Sequence, residues 1–230
     1  MTKSREQEDS ITEKTLDGRR IWTPSFSRQL RSPDNSVNGR FACQLMELGH
    51  PASVDAVDAL LGVKKEHTIL EIGPGGGSSL NRILDTYHPK RAYAIEISDV
   101  FRAQLQSDPT CAKRIKDGIL SIHGDDAARM PFIPSGSVDR VIGVNVLYFL
   151  NPLGQYLCEI YRILKPGGFV LFCVNDDISE HGDPGVYINR NWTECVNTMK
   201  LAGLENSYKG ESRLEKSLRY TPIYGYKPEA

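Results

Sequence analysis

Two carboxylates and a glycine-rich turn give the strongest chemical signal in the chain. Glu71 lies within the apolar run Ile69–Ile72, and glycines follow at 73, 75, 76 and 77. Glycine accepts positive φ angles and lets a ligand approach the backbone without a Cβ in the way. Glu96 follows 25 residues after Glu71, where a carboxylate can accept hydrogen bonds from both hydroxyls of a ribose. These residue types predict a nucleoside-binding site.

The spacing of the glycines argues against a dinucleotide. Gly73, Gly75 and Gly77 occupy relative positions one, three and five, whereas the dinucleotide fingerprint needs positions one, three and six. Ser78 stands at the sixth position, and the turn lacks the lysine of a phosphate-binding loop. The carboxylate of Glu71 would repel a pyrophosphate and favours a cationic ligand end. A nicotinamide-dependent oxidoreductase on a similar fold is therefore kept as an alternative function.

The elements that must position these residues alternate along the chain. Short runs that are apolar throughout, separated by helical spacing, are typical of a parallel sheet covered on both faces. We predict a doubly wound, mostly parallel, seven-stranded α/β sheet of Rossmann-like type, with helices on both faces. Its last two strands should form an antiparallel hairpin at one edge. The predicted strands are 68–72, 92–97, 119–122, 138–146, 169–174, 204–209 and 217–226.

The N-terminal part has a different character. Residues 1–37 are mostly polar and predict a tail, and residues 38–230 predict a single domain. That domain should begin with a helical segment over 38–62, the predicted lid. His50 ends the first helix of this lid. The long segment from His181 to Trp192 is a second candidate for closing over a substrate.

Composition excludes several function classes. Lysine and arginine total 28 against 29 acidic residues, so the net charge of −1 gives no general attraction to nucleic acid or anionic membranes. The longest apolar stretch, 141–150, is far shorter than the roughly 20 residues of a membrane helix. The five cysteines lack the short paired spacing of a metal site, and they fit a reducing, cytoplasmic location. We expect no bound metal.

In the order and spacing of these motifs, the chain resembles the class I S-adenosylmethionine-dependent methyltransferases, in particular their small-molecule group. The resemblance covers roughly residues 68–174, with a weaker similarity in the terminal hairpin. Four blocks in order carry it, namely ILEIGPGGG, AIEIS, HGDDAARMPF, and VDRVIGVNVLYFL running into EIYRILKPGGFVLF.

The resemblance implies a role for each matched residue. The methionine end of S-adenosylmethionine would lie near Glu71, Gly73, Gly75, Gly77 and Asn145. Glu96, expected at an exposed sheet edge, would bind the ribose, and Ile97 would pack on the adenine. An acidic residue should face the adenine amino group. Counting from the preceding strand favours Asp125, whereas counting back from residues 130–132 favours Asp126.

The implied activity is methyl transfer to a small-molecule acceptor by in-line displacement, without nucleic acid or a membrane as a partner. Such a reaction depends mainly on alignment, so no catalytic residue is assigned. His50, Tyr148 and Phe149 are candidates for contacts with the acceptor, although core packing equally explains the two aromatic residues. The segment Asn145–Tyr148 has the outline of the Asn-Pro-Pro-Tyr motif without its prolines. Methyl transfer to protein or nucleic acid is thus a further alternative.

Overall fold

The computed structural model describes residues 11–14, 20–46, 61–215 and 218–229. The strands are β1 (Thr12–Lys14), β2 (Arg20–Trp22), β3 (Thr68–Ile72), β4 (Arg91–Ile95), β5 (Leu120–His123), β6 (Val138–Val144), β7 (Leu164–Asn175), β8 (Glu205–Lys209), β9 (Arg213–Glu215) and β10 (Leu218–Tyr226). The helices are α1 (Pro24–Arg31), α2 (37–46), α3 (Ser78–Tyr87), α4 (Asp99–Ser107), α5 (Pro109–Lys116), α6 (Leu153–Ile163), α7 (Asp176–His181) and α8 (Trp192–Leu201). None of these helices is both long and apolar enough to cross a membrane.

The central sheet has the strand order β5-β4-β3-β6-β7-β10-β8. The five strands from β5 to β7 are parallel, and β10 runs antiparallel between β7 and β8. The predicted doubly wound sheet with an antiparallel C-terminal hairpin is confirmed. One detail differs, because the link between the hairpin strands carries β9, which pairs with β10. Three residues are too few for their alternation to indicate a strand.

Apolar layers cover both faces of the sheet. Neighbouring residues of one strand point to opposite faces, so Leu70 packs in one layer and Ile69 in the other. The first layer includes Leu157 and Ile160 of α6, and the second includes Leu80 and Leu84 of α3. Burial on both faces explains why β3, β6 and β7 are apolar over consecutive positions.

The N-terminal segment is more ordered than its composition indicates. Strands β1 and β2 pair antiparallel. Thr23 caps the start of α1, and its side chain accepts a hydrogen bond from the Phe26 amide at 3.2 Å. Phe26 and Leu30 are buried in a small core with Ile11 and Ala42. Residues 20–31 of the predicted tail thus form a strand and a helix with a buried apolar side. Two apolar residues four positions apart among polar neighbours are a weak signal in the sequence.

The predicted lid over 38–62 is described only in part. Residues 37–46 are helical, and Leu61 is buried in the second core layer. Residues 47–60, which include His50, lie outside the described residues. Residues 1–10 and 15–19 of the predicted tail lie outside them as well.

Candidate functional site

A cavity of about 500 Å³ lies at the carboxyl ends of β3, β4 and β6. This is the edge of an open α/β sheet where the loops after the strands can surround a ligand. The residues at or after the strand ends that line it include Ile72, Gly73, Gly75, Glu96, Ile97, Asp126, Ala127, Asn145 and Val146. A second group from β2, α1 and α2, which we call the N-terminal wall, consists of Trp22, Leu30, Arg31, Leu45 and Met46.

The glycine turn brings bare backbone to the cavity. Gly73 and Gly75 have φ angles of 66° and 54°, in the region that favours glycine, and both line the cavity. A Cβ on Gly73 would meet the Val146 side chain at 3.1 Å. Gly77 lies outside the lining, directly before α3, and a Cβ there would meet Leu105 at 2.6 Å. The first two glycines therefore shape the cavity, and Gly77 allows close packing of α3.

Glu96 is held in place by the backbone. Its carboxylate accepts hydrogen bonds from the amides of Gly75 at 3.0 Å and Ser98 at 2.8 Å. Burial raises the pKa of Glu96, and the two backbone hydrogen bonds act in the opposite direction. The expectation of an exposed position is wrong, because only 4% of the residue is exposed. The link between α1 and α2 lies across this strand end, where the Ser98 hydroxyl donates to the Pro33 carbonyl at 2.8 Å.

Glu71 lies beneath the glycine turn rather than in the cavity wall. The hydroxyl of Ser79 donates to its Oε1, and its buried Oε2 has no hydrogen-bond partner among the described residues. Burial raises the pKa of Glu71 to about 7, and the negative charge of Glu96 adds to this effect. A positive charge near the turn would therefore favour the ionised form of Glu71.

The structure separates the two candidate aspartates. Asp126 and Ala127 line the cavity, whereas Asp125 is outside the lining and lies 3.9 Å from Nδ1 of His123. The Asp126 carboxylate accepts a hydrogen bond from the Ala128 amide at 2.9 Å. Burial and a hydrogen bond to Asp126 raise the pKa of the Tyr156 hydroxyl to about 12. Of the two aspartates, Asp126 is thus the one that lines the cavity, as does Ile97 on the preceding loop.

Asn145 lies in the wall in a conformation that is uncommon for a residue with a side chain. Its φ angle is 53°, its amide donates to the Cys173 carbonyl, and its Oδ1 accepts from the Asn175 amide at 2.8 Å. These bonds fix the carboxamide between β6 and β7. Asn175, which also lines the cavity, carries no signal in the sequence beyond its place at a strand end.

Three aromatic side chains pack together in the wall, and we call them the aromatic cluster (Tyr148, Phe149 and Tyr187). Their ring centroids are 4.7–4.8 Å apart. Tyr148 and Phe149 are the sequence-predicted candidates, and both line the cavity. Trp22 joins them, with its ring 6.1 Å from that of Tyr187. The sequence did not identify Trp22 or Tyr187, although Tyr187 falls within the predicted closing segment.

Hydrogen bonds hold the loop that carries Tyr187 at both of its ends. The Ile188 amide donates to the Tyr148 carbonyl at 2.9 Å, and the Asn189 side chain donates to the carbonyls of Leu147 and Leu150. The Asp183 amide donates to the Ser27 hydroxyl of α1 at 3.2 Å. These bonds connect the loop to the turn after β6 and to α1, and so they help to enclose the cavity.

Comparison with known proteins identifies the central part of the chain. A family model described as a methyltransferase domain matches residues 70–172. A malonyl-[acyl-carrier protein] O-methyltransferase from Marinomonas sp. (strain MWYL1) is 29% identical over 120 residues, covering 50% of this chain and 40% of the relative. An uncharacterised methyltransferase of Bacillus subtilis (strain 168) is 32% identical over 109 residues, covering 47% and 56%. The chain thus spans about half the length of the curated relatives it matches.

Solved structures share the fold at low sequence identity. A phosphoethanolamine N-methyltransferase from Haemonchus contortus superposes with a TM-score of 0.68 at 14% identity, covering 91% of this chain and 62% of that chain. An S-adenosylmethionine-dependent methyltransferase from Aquifex aeolicus gives a TM-score of 0.59 at 18% identity, covering 89% and 98%. These two structures share the fold over a longer part of the chain than residues 70–172, which the family model matches.

Proposed function

We propose that this chain, whose residues 70–172 form a class I S-adenosylmethionine-dependent methyltransferase domain, transfers a methyl group to a small-molecule acceptor. One observation carries the proposal. A single cavity joins the polar strand-end residues Gly75, Glu96 and Asp126 to the aromatic cluster and the N-terminal wall. A nucleoside at the strand ends would therefore share an enclosed space with an apolar acceptor.

The residues present fit the cofactor in their chemistry. Glu96 offers a fixed carboxylate for the two ribose hydroxyls, and Asp126 offers an acceptor for the adenine amino group. The backbone at Gly73 and Gly75 leaves room for the methionine part, and Asn145 borders the same turn. Glu71, with one buried oxygen free of hydrogen bonds among the described residues, favours a positive charge close by.

The chain contributes alignment and exclusion of water. When bound, S-adenosylmethionine supplies an electrophilic methyl group on a positively charged sulfur. The cavity holds the acceptor in line with that methyl group, and orientation of this kind can lower a barrier by about 7–11 kcal/mol. The aromatic cluster and the loop over it limit the access of water to the reacting atoms.

Two observations support a small acceptor. The cavity of about 500 Å³ is lined by residues as distant in the chain as Trp22 and Tyr187, and this volume is in the range of small-molecule sites. Relatives with names such as demethylmenaquinone methyltransferase and fatty-acid O-methyltransferase are consistent with this size of acceptor.

Calorimetric titration and a methyl-transfer assay test the proposal. We expect S-adenosylmethionine to bind and NAD not to bind. Glu96→Ala should weaken cofactor binding by about 10- to 100-fold, the value of a charge-assisted hydrogen bond. Glu205→Ala, which removes an exposed carboxylate on β8, is the matched control and should leave binding unchanged. Binding of NAD in place of S-adenosylmethionine would contradict the proposal.

A further inference from the structure

Two tyrosine hydroxyls in the aromatic cluster have no partner within the part of the chain that the structure describes. Tyr148 and Tyr187 both line the cavity, and only 1% of each residue is exposed. Neither hydroxyl takes part in a hydrogen bond among the described residues. Among the described residues, the side-chain atoms that are fully enclosed and lack a hydrogen-bond partner belong to Glu71, His123 and Asn175. The two tyrosine oxygens are not among them. Because both residues line the cavity, the little exposed surface that they keep is consistent with hydroxyls that face it.

The two rings that carry these hydroxyls are direct neighbours. The rings of Tyr148 and Tyr187 are 4.8 Å apart and tilted by 37°. Burial raises the pKa of each hydroxyl well above its ordinary value, and the proximity of Tyr187 contributes to the shift at Tyr148. Both residues thus stay protonated at neutral pH and can donate but not abstract a proton. A buried hydroxyl without a partner destabilises a protein, and a hydrogen bond to a ligand oxygen would remove that cost.

The rest of the described wall has no group suited to act as a base. Its carboxylates are Glu96 and Asp126, which already accept backbone hydrogen bonds and lie where ribose and adenine are expected. A neutral hydroxyl or a protonated amine would have to lose a proton before or during methyl transfer. An acceptor that arrives as an anion has no proton to lose. The positive sulfonium also compensates for the cost of placing that anion in apolar surroundings.

We propose that the hydroxyls of Tyr148 and Tyr187 together bind one oxyanion of the methyl acceptor, a carboxylate or an acidic phenolate on an apolar body. This assignment rests on the proposed function and names the acceptor class for the same cavity. An oxygen lone pair forms the bond to the methyl carbon while the carbon–sulfur bond breaks. The electron pair of that bond stays on sulfur, which becomes neutral, and no proton moves. The product is a neutral ester or ether, which binds the two donors less tightly than the anion.

The test uses the full chain and four probes: decanoate, para-nitrophenol above its pKa, decanol and decylamine. Binding of each probe is measured by calorimetry with and without S-adenosylhomocysteine, and methyl transfer is followed with radiolabelled S-adenosylmethionine. We expect decanoate or para-nitrophenolate to bind and to be methylated, and decanol and decylamine to be poor acceptors. Which of the two anions is preferred distinguishes the carboxylate from the phenolate.

Variants that each lack one tyrosine hydroxyl then test where the anion binds. Tyr148→Phe and Tyr187→Phe should each weaken binding of the preferred anion by about 10- to 100-fold and leave S-adenosylhomocysteine binding unchanged. Neither variant loses a hydrogen bond among the described residues, so thermal unfolding should confirm a stable fold. Tyr208→Phe, which removes the hydroxyl of a half-exposed tyrosine on β8, is the matched control and should change neither affinity.

The possible outcomes separate the two proposals. Cofactor binding without binding of either anion, or anion binding that both tyrosine variants leave intact, overturns the oxyanion assignment alone. Preferential methylation of decanol or decylamine overturns it too. Anion binding that depends on the tyrosines, in a protein that binds no cofactor, would instead overturn the proposed methyltransferase function.

Discussion

Asp125 and Asp126 are neighbours in the chain, but only Asp126 lines the cavity, because the loop after β5 turns the two side chains to different surroundings. Asp126 lines the cavity and bonds to Tyr156 and the Ala128 amide, whereas Asp125 lies near His123. A backbone hydrogen bond and an aromatic hydroxyl together fix one carboxylate in a defined place. This pair of residues offers a test with an internal control.

We predict that Asp126→Ala weakens binding of S-adenosylmethionine by about 10- to 100-fold, because a charge-assisted hydrogen bond to the adenine amino group is lost. Asp125→Ala removes the same group one position earlier and should leave the affinity unchanged. Isothermal titration of both variants measures the difference. Equal losses in the two variants, or a larger loss in Asp125→Ala, would show that the loop register is wrong.

Glu71 gives the protein a dependence on pH with a definite sign. Burial raises the pKa of Glu71 from 4.5 to about 7, so the folded state binds more protons than the unfolded state between those values. The free energy of unfolding should therefore fall as the pH rises from 4.5 to 7, by about 3 kcal/mol from this group. Above pH 7 the contribution should be constant.

The variant Glu71→Gln removes this titration and keeps an oxygen for the Ser79 hydroxyl. Denaturant unfolding of the free protein should show that the variant loses less stability than the wild type between pH 5 and pH 8. Its affinity for S-adenosylmethionine should fall at pH 8, because the negative charge near the cationic end of the cofactor is gone. Parallel pH profiles for the two proteins would be incompatible with a buried, titrating Glu71.

At the scale of elements, the loop between α7 and α8 depends on a close approach of backbone to an aromatic ring. A Cβ added to Gly182 would lie 2.3 Å from atoms of the Tyr187 ring. Glycine at this position is what lets Tyr187 fold back towards the cavity and join the aromatic cluster. A helix such as α6 shows the opposite case, because a Cβ on Gly154 would meet nothing within 4 Å.

We predict that Gly182→Ala lowers the free energy of unfolding by about 1–3 kcal/mol, the usual cost of overpacking. Gly154→Ala should leave it unchanged or raise it by up to about 1 kcal/mol, because alanine favours a helix over glycine. Urea denaturation of the two variants beside the wild type makes the comparison. If Gly182→Ala were as stable as the wild type, Tyr187 would have to adopt another position in solution.

At the scale of the whole molecule, the cavity depends on contacts between parts of the chain that are far apart in sequence. The bond from Ser98 to Pro33 spans 65 residues, and the bond from Asp183 to Ser27 spans 156 residues. The N-terminal wall and the loop of Tyr187 therefore close one cavity only in the folded molecule. A ligand held there should stabilise the fold as a whole.

We predict that S-adenosylhomocysteine at 100 times its Kd raises the free energy of unfolding by about 2.7 kcal/mol. For a chain of this length the thermal midpoint should rise by roughly 5–10 °C. Scanning calorimetry measures the shift, and Glu96→Ala at the same ligand concentration should reduce it. An unchanged midpoint in the wild type, or an equal shift with NAD, would contradict a dedicated site for the methyl donor.

The sequence by itself determined the sheet, the glycine turn and the kind of ligand. Consecutive apolar residues such as Ile69 and Leu70 require burial on both faces, and this local pattern suffices to predict parallel strands with helices on either side. The four sequence blocks likewise indicated the methyltransferase domain that a family model matches over residues 70–172, because each block is contiguous and its spacing is visible in the chain.

Only the tertiary structure decided which side chains face the cavity. The position of Asp126 in the cavity wall, the bond from Ser98 to Pro33 beside the buried Glu96, and the contributions of Trp22 and Tyr187 depend on the folded chain rather than on local sequence. Local periodicity reports which face of a strand or helix is apolar. The direction of a loop side chain, however, is set by the distant backbone that packs against it, and no short-range pattern encodes that contact.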